Sequence, residues 1–141
     1  MTPLFQNRYD GKKLNCFYTC LASILEIDCD IELTEKFKKE KLKEERGEKE
    51  FEYNSQIRIA NDYLRSIGKF LEFIGNEEAS TFKPSGWSIA CGPTDGPQGH
   101  AVVAYNGNIV HDPSPYQRGI NEIYEWFLIK NVKGDGNEKD N

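Results

Sequence analysis

One cysteine, one histidine and one aspartate, in that order along the chain, carry the clearest chemical signal. Cys16 stands in Asn15-Cys16-Phe17-Tyr18-Thr19-Cys20-Leu21-Ala22-Ser23-Ile24-Leu25, where a loop turns into an apolar helix. Asn15 is a favourable N-cap, and Phe17, Cys20, Leu21, Ile24 and Leu25 keep helical spacing on one face. Cys16 then falls in the first turn, where unpaired backbone N–H groups and the positive end of the helix dipole favour a thiolate. Cys20, one turn on, continues the apolar stripe and reads as a buried structural thiol. Far downstream, Gly99-His100-Ala101-Val102-Val103-Ala104-Tyr105-Asn106-Gly107-Asn108-Ile109-Val110-His111-Asp112-Pro113 reads as a β-hairpin with His100 at its start and Asp112 at its end. Acyl transfer at an amide or ester needs a thiol nucleophile, an imidazole base, a carboxylate orienting that base, and donors for the oxyanion. Cys16, His100 and Asp112 take the first three roles. The Gln6 side chain and the Cys16 backbone N–H are the candidate oxyanion donors.

The hairpin register decides whether His100 and Asp112 can meet. A two-residue Asn106-Gly107 turn, the commonest kind for this dipeptide, sets Val102 opposite His111 and turns Asp112 to the other face from His100. A three-residue loop, or a bulge elsewhere, sets Val102 opposite Asp112, and His100 and Asp112 then share a face. The catalytic reading requires the second arrangement, with His111 left as a structural residue on the opposite face. Asp112 ahead of Pro113 also has a plain reading as a turn residue.

Several elements must position these groups. The first helix is expected at about 15–26. Residues 34–50 carry seven Lys/Arg and six Glu between Glu35 and Glu50, with Phe37 and Leu42 as apolar anchors. Mixed charge of this kind reads as a solvated helix face ending in a turn at Gly47, and less readily as a partner-binding surface. Asn54 or Ser55 caps a further helix whose stripe is Ile57, Ala60, Leu64 and Ile67, with Gly68 as its stop. Strands are expected at 69–74, 87–91, 100–105, 108–112 and 122–129. A polar loop at 75–86 and a turn-rich loop at 92–99 connect them. Helices first and antiparallel strands afterwards make an α+β domain over residues 1–130, and 131–141 reads as a disordered polar tail.

Composition narrows the function classes. The chain has 141 residues, enough for one core, with 38% hydrophobic and 12% aromatic residues. A net charge of −5 argues against nucleic acid and anionic membranes as partners. No apolar run is long enough for a membrane span, and no signal peptide is legible. A cytoplasmic, reducing location is the expectation, with the cysteines as thiols. Cys16, Cys20, Cys29 and Cys91 contain no Cys-x-x-Cys pair, and with His100 and His111 they fit no structural zinc spacing, so no metal and no cofactor is expected.

At these residues the chain resembles the papain-like cysteine peptidases, and among them the bacteriocin-processing double-glycine leader peptidases. That family carries an upstream Gln, a Cys at a helix start with a second Cys four residues on, a His at a strand start, and an Asp-Pro. Here the matches are Gln6, Cys16 with Cys20, His100, and Asp112-Pro113, within about residues 5–25 and 86–119. Small bacterial and phage proteins with an Asn-Cys-Phe segment, a Gly-His-Ala-Val-Val strand and a His-Asp-Pro exit are more similar still. Phe17 stands where the leader peptidases usually have Gly, and Gln6 lies further from its Cys than theirs. The resemblance implies a papain-like fold and a thiol hydrolase that cleaves a peptide, isopeptide or other amide bond. Its partner would be a peptide or protein substrate. The rival expectation is a catalytically inert phage-type binder that inhibits a host protein, through the charged 34–50 segment, or sequesters a small molecule.

Overall fold

The computed structural model describes residues 1–6, 15–96 and 99–133. Three helices come first: α1 (Cys16–Leu25), α2 (Asp30–Glu45) and α3 (Ser55–Ser66). Strand β1 (Lys69–Gly75) follows, then a short helix α4 (Glu77–Thr81), then β2 (Trp87–Pro93), β3 (Gly99–Tyr105), β4 (Asn108–His111) and β5 (Glu125–Asn131). The strands form a five-stranded sheet in the order β1-β5-β2-β3-β4, with every neighbouring pair antiparallel. The fold is α+β, with the N-terminal helix packed on the antiparallel sheet.

The central strands are apolar on both sides because both faces of the sheet are covered. Ile89, Ala101, Val103 and Phe127 face α1, and Ala90, Val102, Ala104, Trp126 and Leu128 face the other way. On that second side α4 supplies Ala79, and the Trp126 indole donates to the Ala79 carbonyl at 3.0 Å. The expectation of a plain loop over 75–86 therefore misses one helix.

Helix α1 is covered nearly all round, so the one-face stripe is too narrow a description. Phe17 meets Phe127 edge-on at 5.1 Å, while Tyr18 turns away from the sheet to Phe37 and donates its hydroxyl to the Gln56 carbonyl. Thr19 and Ser23 are buried too, and each satisfies its hydroxyl on the carbonyl one turn back.

The charged run begins earlier than expected, at Asp30, because Asp30, Leu33 and Thr34 are buried against the rest of the fold. Phe37 is half-buried, but Leu42 is 46% exposed and anchors nothing. The turn at Gly47 is present, with φ +73°. Lys49 then bridges Glu40 and Glu52, and Arg58 binds Glu52, Glu40 and Asp62, which pins the 46–54 segment between α2 and α3. In α3 the buried positions are Ser55, Ile59, Ala60 and Leu64, whereas Ile57 is half-buried and Ile67, just past the helix, is exposed.

At the far end β5 runs on to Asn131, which pairs with Lys69 and accepts from its ammonium at 2.7 Å, while Val132 N–H bonds Gly68 O. The expected tail therefore starts inside a strand, and its residues from 134 on lie outside the described residues. Similarly β2 continues through Gly92 and Pro93, which pair with His100 and Gly99, where a loop was expected. Gly92 is required there: a Cβ would sit 1.8 Å from the Glu122 carbonyl oxygen.

Candidate functional site

The β3–β4 hairpin contains both features that the sequence offers as alternatives. Its turn is the two-residue kind, with Asn106 and Gly107 at positive φ and Tyr105 opposite Asn108. Ala104 still pairs with Ile109, but Val103 pairs with His111, so Val110 is an extra residue in a β-bulge. The register beyond the bulge is the one that puts His100 and Asp112 on the same face. Their atoms Nε2 and Oδ1 are 2.6 Å apart, and both residues are buried.

Asp112 is held as firmly as it holds. Its Oδ1 also accepts from the Ser114 N–H at 2.8 Å, and its Oδ2 accepts from the Gly119 N–H at 2.6 Å. Burial, the largest influence on this carboxyl, acts to raise its pKa; the bonds from His100, Ser114 and Gly119 outweigh it and leave the group below its ordinary value. Gly119 reaches this position at φ +69°. The turn reading of Asp112 and the orienting reading are thus one arrangement, since the Ser114 bond is an Asx-turn.

Cys16 opens α1 in the first turn, as expected. Asn15 occupies the N-cap position, yet it is fully buried and makes no capping bond through its side chain. The Cys16 and Phe17 N–H groups point instead at the Cys16 sulfur, and the Ala101 N–H joins them from β3. Burial nevertheless dominates and pushes the thiol up; these N–H groups pull it partly back, and the Asp112 carboxylate adds a small upward push. The first-turn position does not therefore lower the thiol's pKa on balance, because desolvation exceeds the pull of the helix end. Cys20 is fully buried, and burial pushes its thiol well up, as it does for Cys91.

Cys16, His100 and Ala101 lie at one end of a cleft of about 1180 Å³. With Nε2 committed to Asp112, Nδ1 is the ring nitrogen of His100 left for a thiol or a substrate. The 52–54 loop, α3 and the ends of β2 and β5 also line it. Tyr53, 86% exposed, is part of its lining, and Phe73 borders it from β1.

Gln6 is buried beside the other side of this group. Its backbone N–H donates to the Pro113 carbonyl at 2.9 Å, and it is not among the residues lining the cleft. His111 turns to the face opposite Asp112, where Nε2 donates to the Leu4 carbonyl at 2.6 Å and the ring meets Phe5 edge-on. Residues 1–6 are thereby fastened to the exit of the hairpin.

Sequence reasoning missed Cys91, Glu125, Ser114 and Gly119. Of these only Ser114, two residues past Asp112, carries a local signal, the Asx-turn spacing. Among the described residues, no group of three or more His, Cys, Asp and Glu side chains is placed to hold a metal ion, and no helix is long and apolar enough to cross a membrane. Compared with protein-family models, curated proteins and solved structures, the chain matches none of them.

Proposed function

We propose that this chain is a papain-like thiol hydrolase acting on a peptide, isopeptide or other amide bond. The observation that carries this reading is the buried His100–Asp112 pair, set by the bulge at Val110, beside a cleft that also holds Cys16. Cys16 sulfur attacks the carbonyl carbon while its proton passes to His100 Nδ1. Asp112 keeps the imidazole in the tautomer that frees Nδ1 and stabilises the imidazolium that forms. The Cys16 N–H stabilises the oxyanion; the Gln6 side chain, expected from the sequence as the second donor, does not line the cleft. His100 returns the proton to the leaving amine as the C–N bond breaks. Water, deprotonated by His100, then cleaves the thioester to an acid and restores the thiol. A thiol pushed up by burial fits this scheme, because the base removes its proton during attack and no standing thiolate is needed. The same groups would act in a cytoplasmic setting, where the thiols stay reduced.

The upward push on the Cys16 thiol also favours a second reading, an inert protein that uses the same cleft only to bind a host protein or a small molecule. Intact-mass spectrometry separates the two. After incubation with peptide aldehydes and vinyl sulfones, the hydrolase reading expects one adduct, mapped to Cys16 and lost in His100→Ala. An adduct on another cysteine, or equal labelling of Cys16 with and without His100, overturns it.

A further inference from the structure

At the end of the sheet nearest Cys16, one row of residues crosses three strands. Ala101 pairs with Cys91, and Cys91 pairs with Glu125. Alternation along each strand puts all three on the face of Val103, Ile89 and Phe127, which is the face beneath α1. Strands in a sheet lie about 4.8 Å apart, so the Glu125 backbone is about 10 Å from that of Ala101. Ala101 is the residue whose N–H meets the Cys16 sulfur. Glu125 lines the same cleft and is half-buried in it.

The charge of Glu125 is unmatched. Among the described residues no cation and no hydrogen-bond donor meets its carboxylate, and burial is the one influence on it, pushing it up. Arg58, the cation of the cleft lining, is committed to Glu52, Glu40 and Asp62, and the His100 ring is held by Asp112. Phe73 and Tyr124, both about half exposed, border the same cleft and offer apolar surface to the stem of a long side chain. A half-desolvated carboxylate in a cleft that aromatic rings also border is an environment an ammonium or guanidinium group relieves.

We propose that Glu125 determines specificity in this cleft, and that its ligand is a peptide with a lysine or arginine side chain. An extended peptide advances about 3.3 Å per residue, so the basic residue falls within about three residues of the bond cleaved. The position relative to that bond rests on the hydrolase reading; the preference for a basic side chain does not.

The test has two arms. In the first, Cys16→Ala is titrated by NMR with capped tetrapeptides that differ only in lysine, norleucine or glutamate. The lysine peptide is expected to bind at least about tenfold more tightly than the norleucine one, and Glu125→Gln to abolish the difference. Equal binding of the lysine and norleucine peptides, a preference that survives Glu125→Gln, or no lysine-peptide binding at millimolar concentration overturns the proposal. In the second arm, Cys16 of the wild type and of Glu125→Gln is labelled with the matching peptide vinyl sulfones. Each rate is divided by the same variant's rate with iodoacetamide, which cancels changes in thiol reactivity. A tenfold preference for the lysine probe, lost in Glu125→Gln, supports the assignment. Cys16 labelling without a lysine preference refutes Glu125 and leaves the hydrolase reading standing. A lysine preference in binding with no adduct from any probe does the opposite.

Discussion

Replacing Asp112 by Asn tests how the His100 base is held. The carboxylate accepts three bonds: from His100 and Ser114 on Oδ1, and from Gly119 on Oδ2. Asparagine has one acceptor oxygen. If that oxygen takes the Oδ1 position, the amide nitrogen faces the Gly119 N–H, and a part-buried donor loses its partner. If the amide flips, His100 and Ser114 both lose their acceptor instead. The first arrangement strands one donor and the second two, so the variant settles in the first, at about 1–3 kcal/mol. For a chain of this size each kcal/mol moves Tm by about 4 °C, so calorimetry should find a fall of about 4–12 °C. The rate of Cys16 labelling by a peptide vinyl sulfone should fall further, by about 10²–10⁴ if the triad template applies. An unchanged Tm refutes the acceptor count. Equal labelling rates in wild type and variant mean that Asp112 shapes the 112–119 loop and does not orient a base.

Further outcomes follow from the same geometry. Iodoacetamide labelling of Cys16 should keep accelerating past pH 9.0, because burial lifts the thiol above its ordinary 9.0; a plateau well below that pH would mean a resting thiolate. Asp112 titrates below its unfolded 3.8, so its stabilisation is present above that pH and is lost as pH falls through the folded value. The stability gap between wild type and Asp112→Asn should therefore be flat from about pH 5 to 7 and close in acid, and denaturant titrations showing a gap that persists at low pH would contradict this. Cys16→Ala should lose all labelling with little change in Tm, since alanine is the best helix former, whereas Cys20→Ser places a hydroxyl in a fully buried site at about 1–3 kcal/mol. The reverse pattern on a melting curve would mean the two cysteines have exchanged roles.

What the sequence made legible is what local patterns encode. The apolar run after Cys16, the Asn106-Gly107 turn and the Gly68 stop each depend on a few neighbouring residues. The bulge does not. Asn-Gly specifies the tight turn, but the shift at Val110 comes with groups that meet only in the folded chain: His100 on Asp112, and His111 on Leu4. The start of α2 was hidden because Asp30 and Thr34 read as polar, yet both are buried. Helix α4 is too short to announce itself by periodicity and rests on Ala79 packing under Trp126. The lining of the cleft combines Cys16 and Phe17 of α1 with the 52–54 loop, α3 and distant β1, β2, β3 and β5, so no single window of sequence contains it.

The bulge also sets how much the hairpin can change in length without moving its functional end. Ile109 pairs on one side of Val110 and His111 on the other, with Ala104 and Val103 as consecutive partners. Removing Val110 would give an ordinary ladder in which Val103 still faces His111 and Asp112 still follows it. Val110 is thus spare length between two independently anchored halves, one pinned by the turn and the other by His100, Ser114 and Gly119. The tip has no such slack, because Asn106 and Gly86 exchange two hydrogen bonds there. Loss of one residue is therefore absorbed at Val110 itself, with the turn and the cysteine cleft both left in place.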